Sequence, residues 1–134
     1  MNRFLFNIKA KNAHGLHSPF VYELYTQVIN PCLHQKGELS ALLKNELSNY
    51  QVKSLENVKF NVQIIDISQF DTKNLNMNFE DVLLIKDIQK PIHLARWRQL
   101  IENEKIKISI ELFELGILFF NPIAPKQHFR FKKS

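Results

Sequence analysis

The scarcities in this sequence narrow it most. It has one cysteine, Cys32, so an intrachain disulfide and a four-cysteine zinc site are both excluded. Only three of the 134 residues are glycine: Gly15, Gly37 and Gly116. None follows a predicted strand and opens a helix. A dinucleotide fingerprint, a phosphate-binding loop and a nucleophile elbow all need that order, because the backbone there must turn sharply and approach its ligand closely. No apolar run approaches membrane-spanning length, and the Phe4, Leu5, Phe6 patch behind Arg3 is too short for a signal-peptide core. A reducing, cytoplasmic setting with no membrane partner is the expectation.

Against these gaps stands a globular composition. Apolar residues make up 45% and charged residues 23%, a balance that excludes a disordered chain. A chain of this length buries roughly two thirds of its unfolded surface, so one domain over residues 1–134 is expected. The net charge of +5 is uneven. Arg3, Lys9 and Lys11 precede every acid, and Lys126, Arg130, Lys132 and Lys133 follow the last one, while the remaining eleven bases face thirteen acids. Basic ends on a near-neutral body form an anion or nucleic-acid patch if they meet in space, and are solubilising tails if they do not.

Periodicity supplies the elements. Ser18 followed by Pro19 is a helix start, a capping hydroxyl and then a residue whose fixed φ suits the first turn. Val21, Leu24, Tyr25 and Val28 then recur at helical spacing, which predicts a helix from Pro19 to Ile29, stopped by Asn30 and Pro31. After Gly37, the positions Leu39, Leu42, Leu43, Leu47 and Tyr50 predict a second helix ending near Val52. The runs from Val62 to Ile67 and from Val82 to Ile88 read as buried strands, with an Asn-rich loop between them. Pro91 opens a third helix, with Leu94, Trp97, Leu100 and Ile101 facing inward, and Ile106 to Leu112 is the next strand. Strand, helix, strand at this spacing predicts parallel neighbours joined by a right-handed crossover. Gly116 then allows a tight reversal into a strand over 117–120, and His128 to Lys132 supplies a last one. The economical fold is a Rossmann-like three-layer α/β domain.

Few residues carry candidate chemistry. His14, His17, Cys32 and His34 have spacings that zinc ligands use, but no matching second half, and histidines beside a helix cap more often bond backbone. No metal is expected. Cys32 has no cue for a lowered pKa and reads as a small buried residue, not a nucleophile. Asp66 and Asp87 fall near the carboxyl ends of predicted strands, where open α/β sheets place ligand-binding groups, although each also suits a loop cap. Trp97 reads as core.

The segment His14-Gly15-Leu16-His17-Ser18-Pro19-Phe20-Val21-Tyr22 resembles the N-terminal H-G-x-H-S-P-F-V-Y motif of a bacterial, O-methyltransferase-like family of class I S-adenosylmethionine-dependent methyltransferases. The region from Asp81 to Phe131 resembles the end of the same family: a strand closing in D-D-I-H, an amphipathic helix with a Trp, a strand, a Leu-Phe turn with Gly, a Phe-Phe strand and an H-F-x-x-x-F-like segment. Those pieces read Leu84-Ile85-Lys86-Asp87-Ile88-Gln89, Ala95-Arg96-Trp97, Ile108-Ser109-Ile110-Glu111-Leu112-Phe113, Gly116-Ile117-Leu118-Phe119-Phe120 and Gln127-His128-Phe129-Arg130-Phe131. The matches cover about half of the chain, in order.

The resemblance implies a reduced Rossmann-like, class I methyltransferase-like three-layer domain with an antiparallel C-terminal end to its sheet. Residues 1–30 are its N-terminal arm and helix, and 81–134 its family-like C-terminal part. Residues 31–80 stand where family members carry the glycine-rich cofactor loop and the acid that holds the ribose. Lys86 replaces the first acid of D-D-I-H and Gln89 its histidine, leaving Asp87 as the one retained polar group. A lysine there repels a cationic sulfonium or a metal.

A shortened, non-catalytic domain that binds or scaffolds is therefore the leading expectation. Its partner would be itself or a full-length relative, docked through a sheet edge left open by missing strands. A divergent methyltransferase using S-adenosylmethionine, with Asp87, His14 and His17 lining the site, is the first alternative. The second is a small nucleic-acid-binding module using Arg3, Lys9, Lys11, Lys126, Arg130, Lys132 and Lys133. The alternation of Phe129, Arg130, Phe131 and Lys132 is the nearest approach to an RNA-binding sheet.

Overall fold

In the computed structural model, which describes residues 4–5, 19–70, 75–120 and 126–133, a mixed sheet carries helices on both faces. The strands are β1 (Phe4–Leu5), β2 (Gln51–Val52), β3 (Val58–Lys59), β4 (Asn61–Asp66), β5 (Asp81–Lys86), β6 (Ile108–Leu112), β7 (Leu115–Phe119) and β8 (Gln127–Lys133). The helices are α1 (Pro19–Leu24), α2 (Asn30–Leu33), α3 (Leu39–Asn49) and α4 (Pro91–Glu102).

The first helix does not stop where the sequence predicts. A π-helical turn, Tyr25–Ile29, joins α1 to α2 and carries the chain through Pro31. Proline lacks an N–H and its ring crowds the carbonyl four residues back; the wider turn, in which the Asn30 N–H reaches the Tyr25 carbonyl, loosens the ladder at that place. Ser18, the predicted cap, lies outside the described residues. The second helix ends at Asn49 rather than Val52, because Tyr50 turns extended and β2 pairs antiparallel with β3. Two-residue strands have no period to read.

The main sheet runs β1-β8-β6-β7-β5-β4. β4 is parallel to β5 and β6 is parallel to β8, while β7 is antiparallel to both β5 and β6. The predicted adjacency of β5 and β6 is therefore wrong, since β7 stands between them. Only Phe113 and Glu114 connect β6 to β7, so β7 folds straight back with Leu112 opposite Leu115. All five residues of β7 are buried, and a strand of that kind needs a neighbour on each side. Gly116 is displaced from its predicted role too. The reversal is made at Phe113, and Gly116 lies inside β7, where a Cβ would come 2.2 Å from Cη2 of Trp97.

Alternation along the strands splits the core in two. Val62, Val82, Leu84, Ile108, Ile110, Leu112, Ile117, Phe119, Phe129 and Phe131 face α1–α3. Phe20 reaches down to stack edge-on against Phe119, with ring centroids 5.0 Å apart, and Tyr25 lies parallel to Phe131 at 4.8 Å. The described part of the HSPFVY motif is thus a packing device, because Phe20 and Val21 are buried while Tyr22 is exposed. Glu23 locks this layer, accepting from the Tyr50 hydroxyl at 2.6 Å and from the Lys53 and Ser54 amides at 2.7 and 2.8 Å. Burial alone would raise the Glu23 pKa, but these donors prevail and lower it to about 2. On the opposite face Leu83, Ile85 and Leu118 pack with Trp97 and Leu100 of α4. Leu94, predicted inward, is exposed. No helix of the described residues is long and apolar enough to cross a membrane.

Candidate functional site

Two places gather polar side chains. The first is at the carboxyl ends of β4 and β5, where open α/β sheets bind ligands. Asp66 ends β4 and Asp87 follows β5 with a φ of 65°, a left-handed conformation that non-glycine residues seldom adopt. Asp66 caps a short 3₁₀ turn, accepting from the Ser68 hydroxyl at 2.7 Å and its amide at 2.9 Å. These two donors, with Asp87 alongside, hold the Asp66 carboxyl at about 2. Asp87 forms an ion pair with Lys90 at 3.7 Å, and Lys86 one with Glu38 at 3.3 Å. Glu38, Ser40, Lys86, Asp87 and Glu114 line a cavity of about 100 Å³.

That cavity falls below the roughly 300 Å³ at which small-molecule pockets begin. Its cation, Lys86, is already paired to Glu38, and Asp87 and Glu114 leave the lining net negative, so it is size and not charge that keeps a sulfonium cofactor out. The described residues here do not fit S-adenosylmethionine, and no methyl-transfer step follows from them. Asp87 is brought together with Asp66. His14 and His17 lie outside the described residues.

The second place was missed in the sequence. β6 and β8 are parallel, with Ser109 opposite His128 and Glu111 opposite Arg130, so their alternation sets four polar residues on the α4 face. Ser109 Oγ and His128 Nδ1 are 2.6 Å apart. Trp97 Nε1 donates to Glu111 Oε1 at 2.6 Å, and Arg130 Nε stands 2.7 Å from Glu111 Oε2, a close ion pair outside directed hydrogen-bond geometry. His128 Nε2 is 3.7 Å from Glu111 Oε1, too far for a hydrogen bond. Burial opposes ionisation of Glu111, but His128, Trp97 and the Arg130 charge outweigh it and bring its pKa to about 2.

Serine, histidine and glutamate in sequence invite comparison with an acyl-transfer triad. Ser109 is only 2% exposed, so its oxygen cannot reach a substrate carbonyl, and Glu111 is occupied by Trp97 and Arg130. The cluster is a structural brace holding α4 to the sheet. The signal was legible, because ISIEL and HFRF each alternate two polar residues with apolar ones.

The other candidates fall apart. Cys32 is buried, and burial pushes its thiol up to about 11. His34 Nδ1 bonds the Asn30 carbonyl at 2.8 Å, and among the described residues no three His, Cys, Asp or Glu groups could hold a metal ion. Of the basic ends, Lys126 Nζ donates to the Asn103 and Ile106 carbonyls at 2.7 and 2.8 Å, and Arg130 belongs to the brace. Lys132 and Lys133 pair through the backbone with Leu5 and Phe4, whereas Arg3, Lys9 and Lys11 lie outside the described residues. Comparison with protein-family models, curated proteins and solved structures finds no match to this chain.

Proposed function

We propose that this chain is a reduced, non-catalytic, methyltransferase-like domain of Rossmann-like descent that acts by binding a partner through the outer edge of β4. The observation that carries this is the condition of that edge. β4 pairs with β5 on one side, and no strand among the described residues pairs with it on the other. Ile64 and Ile65 are half-buried there, on opposite faces. An open row of backbone donors and acceptors between apolar side chains is a template for an added strand. The family resemblance and the antiparallel β7 support the descent, and the small cavity beside Asp87 supports the loss of catalysis. A cytoplasmic location accompanies this role.

The test is calorimetric titration with S-adenosylmethionine and S-adenosylhomocysteine. No heat and no thermal stabilisation are expected at millimolar ligand. Binding tighter than about 100 μM, about −5.5 kcal/mol, would overturn the proposal and favour a divergent methyltransferase with Asp87, His14 and His17 at its site.

One observation favours nucleic-acid binding as a second role. Pairing of Phe4 with Lys133 and of Leu5 with Lys132 sets the N-terminal strand beside two of the C-terminal lysines. Binding there weakens steeply with salt and on Lys132→Ser with Lys133→Ser. An affinity indifferent to both changes excludes it.

A further inference from the structure

We infer that the strand added to β4 is β4 of a second copy, antiparallel and centred on Gln63, so that two sheets join into one across a twofold axis. This rests on the proposed use of the β4 edge and names its partner.

Edge strands that must stay single are blunted by lysine, proline or a bulge. β4 reads Asn61-Val62-Gln63-Ile64-Ile65-Asp66 and has none of these; its inner pairing with β5 is unbroken over all six residues. Three of the six are β-branched, which suits a pleated, half-buried surface. Its one charge, Asp66, lies at the far end and is occupied with Ser68.

The register follows from the faces. A twofold axis perpendicular to a sheet keeps each face on its own side, so only residues on the same face can stand opposite each other. Val62 and Ile64 face α1–α3, while Ile65 faces the α4 side, which Gln63 shares by alternation. Two centres satisfy this rule near the middle of β4. Centring on Ile64 sets Asp66 opposite Val62 of the second copy, a carboxylate against an aliphatic side chain. Centring on Gln63 sets Val62 opposite Ile64 twice, places the two Gln63 amides within reach of each other, and leaves both Asp66 side chains beyond the paired stretch. The second arrangement covers the half-buried aliphatic surface and opposes no charge to an apolar group.

Gln63 is exposed, so it can be changed without disturbing either core. Sedimentation velocity of the full chain is expected to show a concentration-dependent dimer, and Gln63→Lys, which sets two like charges opposite each other, to weaken it about tenfold. Oxidation of Gln63→Cys is expected to give a covalent dimer, while Asn61→Cys, which faces Ile65, gives none. The native Cys32 is buried and does not compete.

A wild-type chain that remains monomeric near 1 mM overturns the self-pairing, as does a dimer unaffected by Gln63→Lys. The cofactor titration is run on the same samples. A monomer silent toward S-adenosylmethionine loses the self-pairing and keeps the non-catalytic binding role. A dimer that binds the cofactor keeps the pairing and loses that role.

Discussion

The two faces of β6 and β8 are built from alternate residues of the same two strands and held by different physics. Toward α1–α3 they present Ile108, Ile110, Leu112, Phe129 and Phe131, all buried and held by area and shape. Toward α4 they present Ser109, Glu111, His128 and Arg130, held by mutual satisfaction around one carboxylate. An apolar face loses stability in proportion to the volume removed. A polar face fails when a single partner is withdrawn, because the remaining groups stay desolvated.

The largest expected effect is on the apolar side. Phe129→Ala is expected to cost about 3–5 kcal/mol in urea unfolding, since Phe129 is 1% exposed. A loss near 1 kcal/mol would mean that this face collapses around the cavity. Glu111→Gln nearly conserves volume and is expected to cost about 2–3 kcal/mol, as it leaves Arg130 without a counter-charge; an unchanged midpoint would reduce the brace to decoration. Gly116→Ala drives a methyl into Trp97, the arm of the brace, at about 2 kcal/mol, and should lower the Trp97 fluorescence contrast on unfolding.

Acid separates the two faces further. The Glu111 carboxyl is held near 2 from an ordinary 4.5, so the unfolded chain takes its proton first. The stability it contributes is complete above about pH 4.5 and is lost as the pH falls toward 2, on the order of 2 kcal/mol after solvent screening. That part of the acid loss should vanish in Glu111→Gln and persist in Phe129→Ala. Least is expected from Lys86→Met, which breaks an exposed ion pair and should change stability by under about 1 kcal/mol.

The elements were legible where a period ran long enough. Pro91 opens α4 as expected, Trp97 is core, and β4 to β8 fall within a few residues of their predicted places. Helix continuation through Pro31 was not legible, because a π turn is a change of hydrogen-bond partner and leaves no residue pattern. Nor was the place of β7. Crossover rules join successive parallel strands, and the two-residue connection at Phe113 and Glu114 overrides them by supplying a neighbour at once. At the candidate sites, the alternation that makes the brace is present in the sequence, but alternating polar residues on a strand equally mark a solvated face, and nothing in the pattern says that Trp97 covers it.

The insertion of β7 also orders events in time. β5 meets β4 across a short stretch of chain, whereas its other edge must wait for α4, β6 and the reversal at Phe113. A parallel pair formed early therefore stands with one hydrophobic flank open until the hairpin arrives, and closing that longer loop bears the entropy of everything between. Refolding should thus be limited by the docking of β7 on β5, and a nascent chain that ends before β7 exposes Leu84 and Ile85 to any strand nearby.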